Sequence, residues 1–164
     1  MVVFPAAVIF AAVRDATTFT IPNWLCAAAA LAFFPVAALC GLAPLGYALA
    51  LGLFVVALAA GMAMFALGWI GGGDAKLFAA CGLWLGGAAM WPFLAWTAIA
   101  GGALAVFLLM ARKWAPGMPY LRAAWAGRLF TPGENVPYGV AIAAGALAAY
   151  PSSPVVQAAL GSRA

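Results

Sequence analysis

Apolar stretches at about 2–14, 22–41, 45–69, 75–91, 92–111 and 136–151, each ended by charge, Pro or Gly, leave this chain few places at which to meet water. A helix needs about 20 mostly apolar residues to cross the roughly 30 Å hydrocarbon core of a bilayer. Charged residues make up only 6% of the 164, where a soluble domain carries about 25%. Seven Lys+Arg and three Asp+Glu cannot coat a particle of this size, so water would meet a nearly continuous apolar surface. The expected fold is therefore all-α and polytopic: a bundle of about six transmembrane helices, with residues 1–164 forming one membrane-embedded domain. A cytosolic enzyme, a DNA-binding module and a secreted scaffold are excluded.

The first and last stretches are short for a span, so helix one is expected to run past Arg14 and helix six to continue beyond Pro151 toward Leu160. Only Met90, Trp91 and Pro92 separate the fourth stretch from the fifth. A residue before proline is pushed out of helical geometry, which predicts a tight turn there. Gly52, Gly61, Gly82, Gly86, Gly87, Gly101 and Gly102 fall inside the spans, where small residues allow helices to approach closely.

With six spans, loops one, three and five share a side. The charges fall as Arg14 with Asp15, Asp74 with Lys76, and Arg112, Lys113, Arg122, Arg128 with Glu134, which are those three loops. The positive-inside rule then places the charged loops in the cytoplasm and both termini on the non-cytoplasmic side. No basic region precedes the first apolar stretch, so it reads as a retained anchor. The net charge of +4 sets orientation and gives no reason to expect nucleic acid. The segment from Arg122 to Phe130, with Trp125 and Arg128, has the pattern of a short basic amphipathic helix on the membrane surface, with anionic lipid as its partner.

The chain contains no histidine, and Cys26, Cys40 and Cys81 lie in apolar runs without CxxC spacing. Neither a metal site nor His-based catalysis is expected, and no cofactor is implied. The two aspartates, Asp15 and Asp74, are then the informative residues, because the topology puts both at the cytoplasmic edge. Carboxylates at a membrane boundary are costly unless solvated, paired or used. Two carboxyls facing one another cannot both ionise comfortably and hold one shared proton. The ionised one can take a proton from an attacking water while the protonated one hydrogen-bonds the developing oxyanion. Taken singly, Asp74 reads as the N-cap of helix four and Asp15 as half of a solvated pair with Arg14. Their shared side favours the dyad.

Gly71-Gly72-Gly73-Asp74-Ala75-Lys76 resembles the GxGDxK motif of membrane aspartic peptidases. Asp15 followed by Ile21-Pro22-Asn23 is similar to the first-aspartate region of type IV prepilin peptidases, and Pro137-Tyr138-Gly139 with Gly145 to their last-helix signature. The small size most resembles the peptidases of tight-adherence (Flp) pili. The resemblance implies that Asp15 and Asp74 are catalytic and that Gly71, Gly73, Lys76, Pro22, Asn23, Pro137, Tyr138 and Gly139 support the site or the substrate. It implies a prepilin substrate, with a basic leader and a hydrophobic N-terminal helix, cut at the cytoplasmic face of the bacterial inner membrane. The family's basic residues after the first aspartate are replaced here by Ala16-Thr17-Thr18-Phe19-Thr20. Its methylation-linked insertion with paired cysteines is missing, so proteolysis alone is expected.

Gly71 to Gly73 are expected to provide positive φ and close backbone approach beside the carboxylates. Lys76, two residues after Asp74, does not share its helical face and is a candidate for lipid phosphate or for folding back on a carboxylate. Pro22 and Pro137 suit helix starts. Tyr138, Trp24, Trp69, Trp91, Trp114 and Trp125 suit the membrane interface. Glu134 and Asn135 are candidates for polar contacts near the site. The rival function is a transporter or channel subunit using Asp15 and Asp74 as a proton or cation relay.

Overall fold

The computed structural model describes residues 1–114, 124–131 and 133–161. Among them the chain forms helices only: α1 (Val3–Thr18), α2 (Asn23–Leu39), α3 (Pro44–Ala66), α4 (Gly72–Trp114), α5 (Ala124–Leu129), α6 (Tyr138–Ala149), a 3-10 turn at Tyr150–Ser152, and α7 (Pro154–Ala159). Helix α1 does run past Arg14. Threonine hydroxyls help to close it, with Thr17 donating to Val13 O at 2.7 Å and Thr18 to Arg14 O at 2.7 Å. Phe19 ends it in the left-handed region at φ 53, its N–H bonded to the Asp15 carbonyl. The last apolar stretch continues past Pro151 by way of the 3-10 turn, which resets the chain before α7.

Helix α4 departs from the expected layout. Its 43 residues would reach about 64 Å if straight. Yet the Phe78 and Phe93 rings stack with centroids 5.3 Å apart, where one continuous helix would separate them by about 22 Å. The chain doubles back at Gly86, whose φ of 62 and ψ of −174 are not helical. The turn therefore lies at Gly86 and not at Met90 to Pro92. Pro92 is carried inside the second arm, as Pro35 is inside α2. An L residue is strained at positive φ, whereas glycine is not. A side chain at Gly86 would in addition press within 2.5 Å of Pro154 Cγ. Gly86→Ala is thus expected to destabilise the protein by about 2 kcal/mol or more. Gly87→Ala, with nothing within 4 Å and no positive φ, should be near neutral when both are compared by thermal unfolding in detergent.

Helix α6 sits at the centre, packed on α4 and α1, while α3 covers the first arm of α4. Small residues make these contacts close. A Cβ at Gly61 would meet Ala75 at 3.1 Å, and one at Gly82 would meet Ala57 at 3.2 Å. Gly52, Gly87 and Gly102 have no such neighbour and do not follow the close-packing expectation. One end of the bundle is filled by aromatics. Trp84 stacks on Phe4 at 5.1 Å, meets Phe33 edge-on at 5.6 Å, and donates its indole N–H to Ala29 O at 2.8 Å. Burying an indole without a partner for that N–H would be costly, so this bond keeps the plug wholly apolar outside and satisfied inside. The aspartates lie at the opposite ends of α1 and α4.

Three helical segments among the described residues are long and apolar enough to cross a membrane: Pro44–Ala66, Gly72–Lys113 and Tyr138–Ala159. The outer surface is correspondingly apolar, with Leu31, Val55, Val56, Ile99, Leu109 and Met110 all exposed. In water such a surface would drive aggregation; in lipid it costs nothing. The expected surface helix has a counterpart in α5, although Arg122 lies outside the described residues.

Candidate functional site

Asp15 is the thirteenth residue of α1 and Asp74 the third of α4, and both are buried at 4% and 8% exposure. Ile21 packs against both Gly73, next to Asp74, and Gly139, which holds Asp15, so the two carboxyls share one end of the bundle. Helices α1 and α4 touch only lightly, and it is α6 that joins them. The Gly139 N–H donates to Asp15 Oδ2 at 2.7 Å. This amide at the start of α6 meets a buried acid in the place where a helix N-terminus favours negative charge.

The structure gives Asp74 two jobs on its two oxygens. Oδ2 accepts the Gly71 N–H at 3.3 Å, the reach-back of an acid at the third helical position to the amide just before the helix. Asp74 is therefore not the N-cap residue itself but caps the helix from its third position. Oδ1, however, is buried and has no hydrogen-bond partner among the described residues. Buried acceptors are rarely left unpaired, and such an atom beside a second carboxyl is where a water, a shared proton or a substrate group would be held.

The supporting glycines act by closeness and not by conformation. None of Gly71, Gly72 and Gly73 has positive φ; the left-handed residue in this turn is Gly68, at φ 74. A Cβ at Gly73 would meet Ile21 Cβ at 3.0 Å and Ile21 O at 3.2 Å, and one at Gly71 would meet Asp74 Oδ2 at 3.1 Å. Ile21 is buried and also touches Gly139, so it wedges between the two glycines that flank the acids. Sequence reasoning quoted Ile21 only as part of a motif and missed this role.

Pro22 is extended at φ −63 and ψ 137 and starts α2, accepting Leu25 N–H at 3.0 Å. Pro137 likewise precedes α6. Lys76 neither folds back on a carboxylate nor is left to lipid alone, because its Nζ donates to Asn23 Oδ1 at 2.7 Å. Two motifs 53 positions apart are thereby tied together across the mouth of the site. A charge-assisted bond of this kind contributes about 1 kcal/mol. Lys76→Met and Asn23→Ala should each cost about that much, and the double variant no more than either, in thermal unfolding of the purified protein. Full additivity would count against the contact.

Tyr138 faces α4 as well as the surface. It lines an apolar cavity of about 530 Å³ with Trp69, Phe78, Thr97, Gly101 and Ile142. Phe78 is one helical turn from Asp74, although neither carboxyl lines this cavity. Glu134 and Asn135 contribute their backbone carbonyls to Arg112, which donates to them from Nη1 at 2.7 Å and Nη2 at 2.8 Å. Arg112 was read from the sequence only as a topological charge; no pattern in the sequence marks it as buried.

No curated protein and no solved structure matches the chain. A model of the type IV leader peptidase family matches residues 2–106, more than half of the chain, and the matched stretch carries Asp15, the Ile21-Pro22-Asn23 turn, Gly71 to Lys76 and the Gly86 hairpin. Both aspartates lie in that stretch, and α6 adds the Gly139 amide from outside it. An apolar helical bundle of this kind, matched over the residues that form its acidic site, belongs to the type IV leader peptidase family and is a membrane peptidase.

Proposed function

We propose that this protein is a membrane-embedded aspartic endopeptidase that removes the short leader from type IV, Flp-like prepilins. Two buried carboxyls at one end of the bundle, Asp15 held by the Gly139 amide and Asp74 with an Oδ1 that has no partner among the described residues, carry the reading. One carboxyl of the pair is ionised and takes a proton from water as the oxygen attacks the scissile carbonyl. The other is protonated and donates to the oxyanion. Collapse of the tetrahedral intermediate breaks the C–N bond, the amine leaves with a proton from the pair, and the dyad returns to one shared proton.

The site opens at the cytoplasmic face of the bacterial inner membrane in this reading. Counting the arms of α4 separately and joining α6 to α7 gives six segments, with both termini on the non-cytoplasmic side. The charges near Arg14, Lys76 and Arg112 then fall on one side, as the positive-inside rule requires. The leader's basic residues meet the anionic lipid surface there, and the pilin's hydrophobic N-terminal helix enters from the bilayer beside the cavity at Tyr138. Acids serving a proton or cation relay lie near mid-membrane. Here they stand at helix ends, one capping α4.

Co-expression with Flp-type prepilins tests the proposal. The expected result is a shortened pilin on a gel, with the new N-terminus defined by mass spectrometry. Leaders that stay intact in membranes containing the folded enzyme, across several such prepilins, would refute the substrate assignment.

A further inference from the structure

We infer that Arg112 is a positioning residue for the carboxyl pair, clamping the segment that delivers the Gly139 amide to Asp15; the inference rests on the peptidase reading above. Arg112 lies in the last turn of α4 and is 8% exposed, whereas its neighbour Lys113 is exposed. A charge that only sets topology sits in water or among headgroups, as Lys113 does. Arg112 is turned inward instead. Its guanidinium donates to three backbone carbonyls: Nε to Leu129 at 3.1 Å, Nη1 to Glu134 at 2.7 Å and Nη2 to Asn135 at 2.8 Å.

Leu129 is the final residue of α5, so its carbonyl is one that the helix leaves without an internal partner. The planar fork of an arginine can gather acceptors spaced in this way, and the single ammonium of a lysine cannot reach all three. From Asn135 only Val136 and Pro137 precede α6, and Gly139, its second residue, makes the 2.7 Å bond to Asp15 Oδ2. Pro137 has its φ set by its ring, which stiffens this short connection. At its far end Gly139 is close-fitted, since a Cβ there would lie 2.8 Å from both Asp15 Oδ2 and Ile21 Cδ1.

A second contact ties the same segment to α1. Arg128, in the last turn of α5, stands over the Phe19 ring at 5.2 Å, and Phe19 caps α1 with its N–H on the Asp15 carbonyl. The segment from α5 to Gly139 is therefore held at Arg112 and meets the Asp15 end of α1 twice. An amide donor to a carboxyl favours its ionised form. If the clamp loosens, that donor is less well placed, and the pH at which the pair reaches its working state moves.

Arg112→Lys and Arg112→Gln test this against Lys113→Gln in purified enzyme. For Arg112→Lys the cleavage rate is expected to fall about tenfold and the acid limb of the pH–rate profile to move to higher pH by about half a unit or more. Hydrogen exchange over residues 133–142 should quicken in both Arg112 variants and stay unchanged in Lys113→Gln. A purely structural role would lower the amount of active enzyme and scale the profile without moving it, and that result overturns the inference. So does wild-type exchange in Arg112→Lys. Should Arg112→Gln fail to fold, the lysine variant decides. Should the wild-type enzyme cleave no prepilin, the peptidase reading falls, and the exchange measurement alone decides whether the clamp exists.

Discussion

Asp15→Asn and Asp74→Asn are each expected to lower prepilin cleavage by about a thousandfold or more, the upper range of what a positioned acid or base contributes. Both variants should still insert and fold. An asparagine at 15 keeps a carbonyl oxygen to accept the Gly139 N–H, and one at 74 keeps an acceptor for Gly71 N–H. The packing volume is also retained. What each substitution removes is the ability to hold and pass a proton, so the loss isolates that chemistry from stability. The measurement is leader removal on a gel after co-expression, with membrane-fraction immunoblots showing equal enzyme. Full cleavage by either variant would sink the dyad.

Gly139→Ala has the second large expected effect, through geometry alone. The added Cβ would lie 2.8 Å from Asp15 Oδ2, 2.8 Å from Ile21 Cδ1 and 3.0 Å from Asp15 Cβ. The tip of Ile21 can swing aside, but Asp15 cannot without breaking the bond that defines its position. Helix α6 must then retreat from α1, taking its amide with it. A displacement near 1 Å costs about a hundredfold in rate, and overpacking of this kind costs about 1–3 kcal/mol in stability. Gly52→Ala is the matched comparison, since nothing lies within 4 Å of a Cβ there. It should cleave as the wild type does. An alanine at 139 with wild-type turnover would show that the close approach of α6 to Asp15 is not needed.

Much of the architecture was legible because transmembrane helices advertise themselves by hydropathy. The stretches at 22–41 and 45–69 became α2 and α3 with ends shifted by a few residues. The reversal within α4 was misplaced for a physical reason. Pro92 signals a broken helix in water, but inside a packed apolar bundle the helix continues through it, because neighbouring helices satisfy or shield the freed backbone. Gly86, Gly87 and Gly82 look alike in sequence. Only the approach of Pro154 to Gly86 and the positive φ there distinguish the turn from its neighbours.

The acids were legible by scarcity. A chain with two aspartates, each at the end of an apolar run and each in a recognisable motif, points to its own chemistry before any coordinates are known. How they meet was not legible. Helix α6 packs on both α1 and α4 and supplies the amide that holds Asp15. A backbone N–H carries no residue-type signal, so nothing in the letters of Gly139 says that it donates to Asp15. The same holds for Lys76 with Asn23 and for Arg112 with its three carbonyls, where charge alone suggested lipid and topology. Hydropathy, a local property, determined an all-helical membrane protein, and the motifs around Asp15 and Asp74 marked its family. Which backbone groups those side chains touch depends on contacts between residues as many as 124 positions apart, and only the tertiary packing decides them.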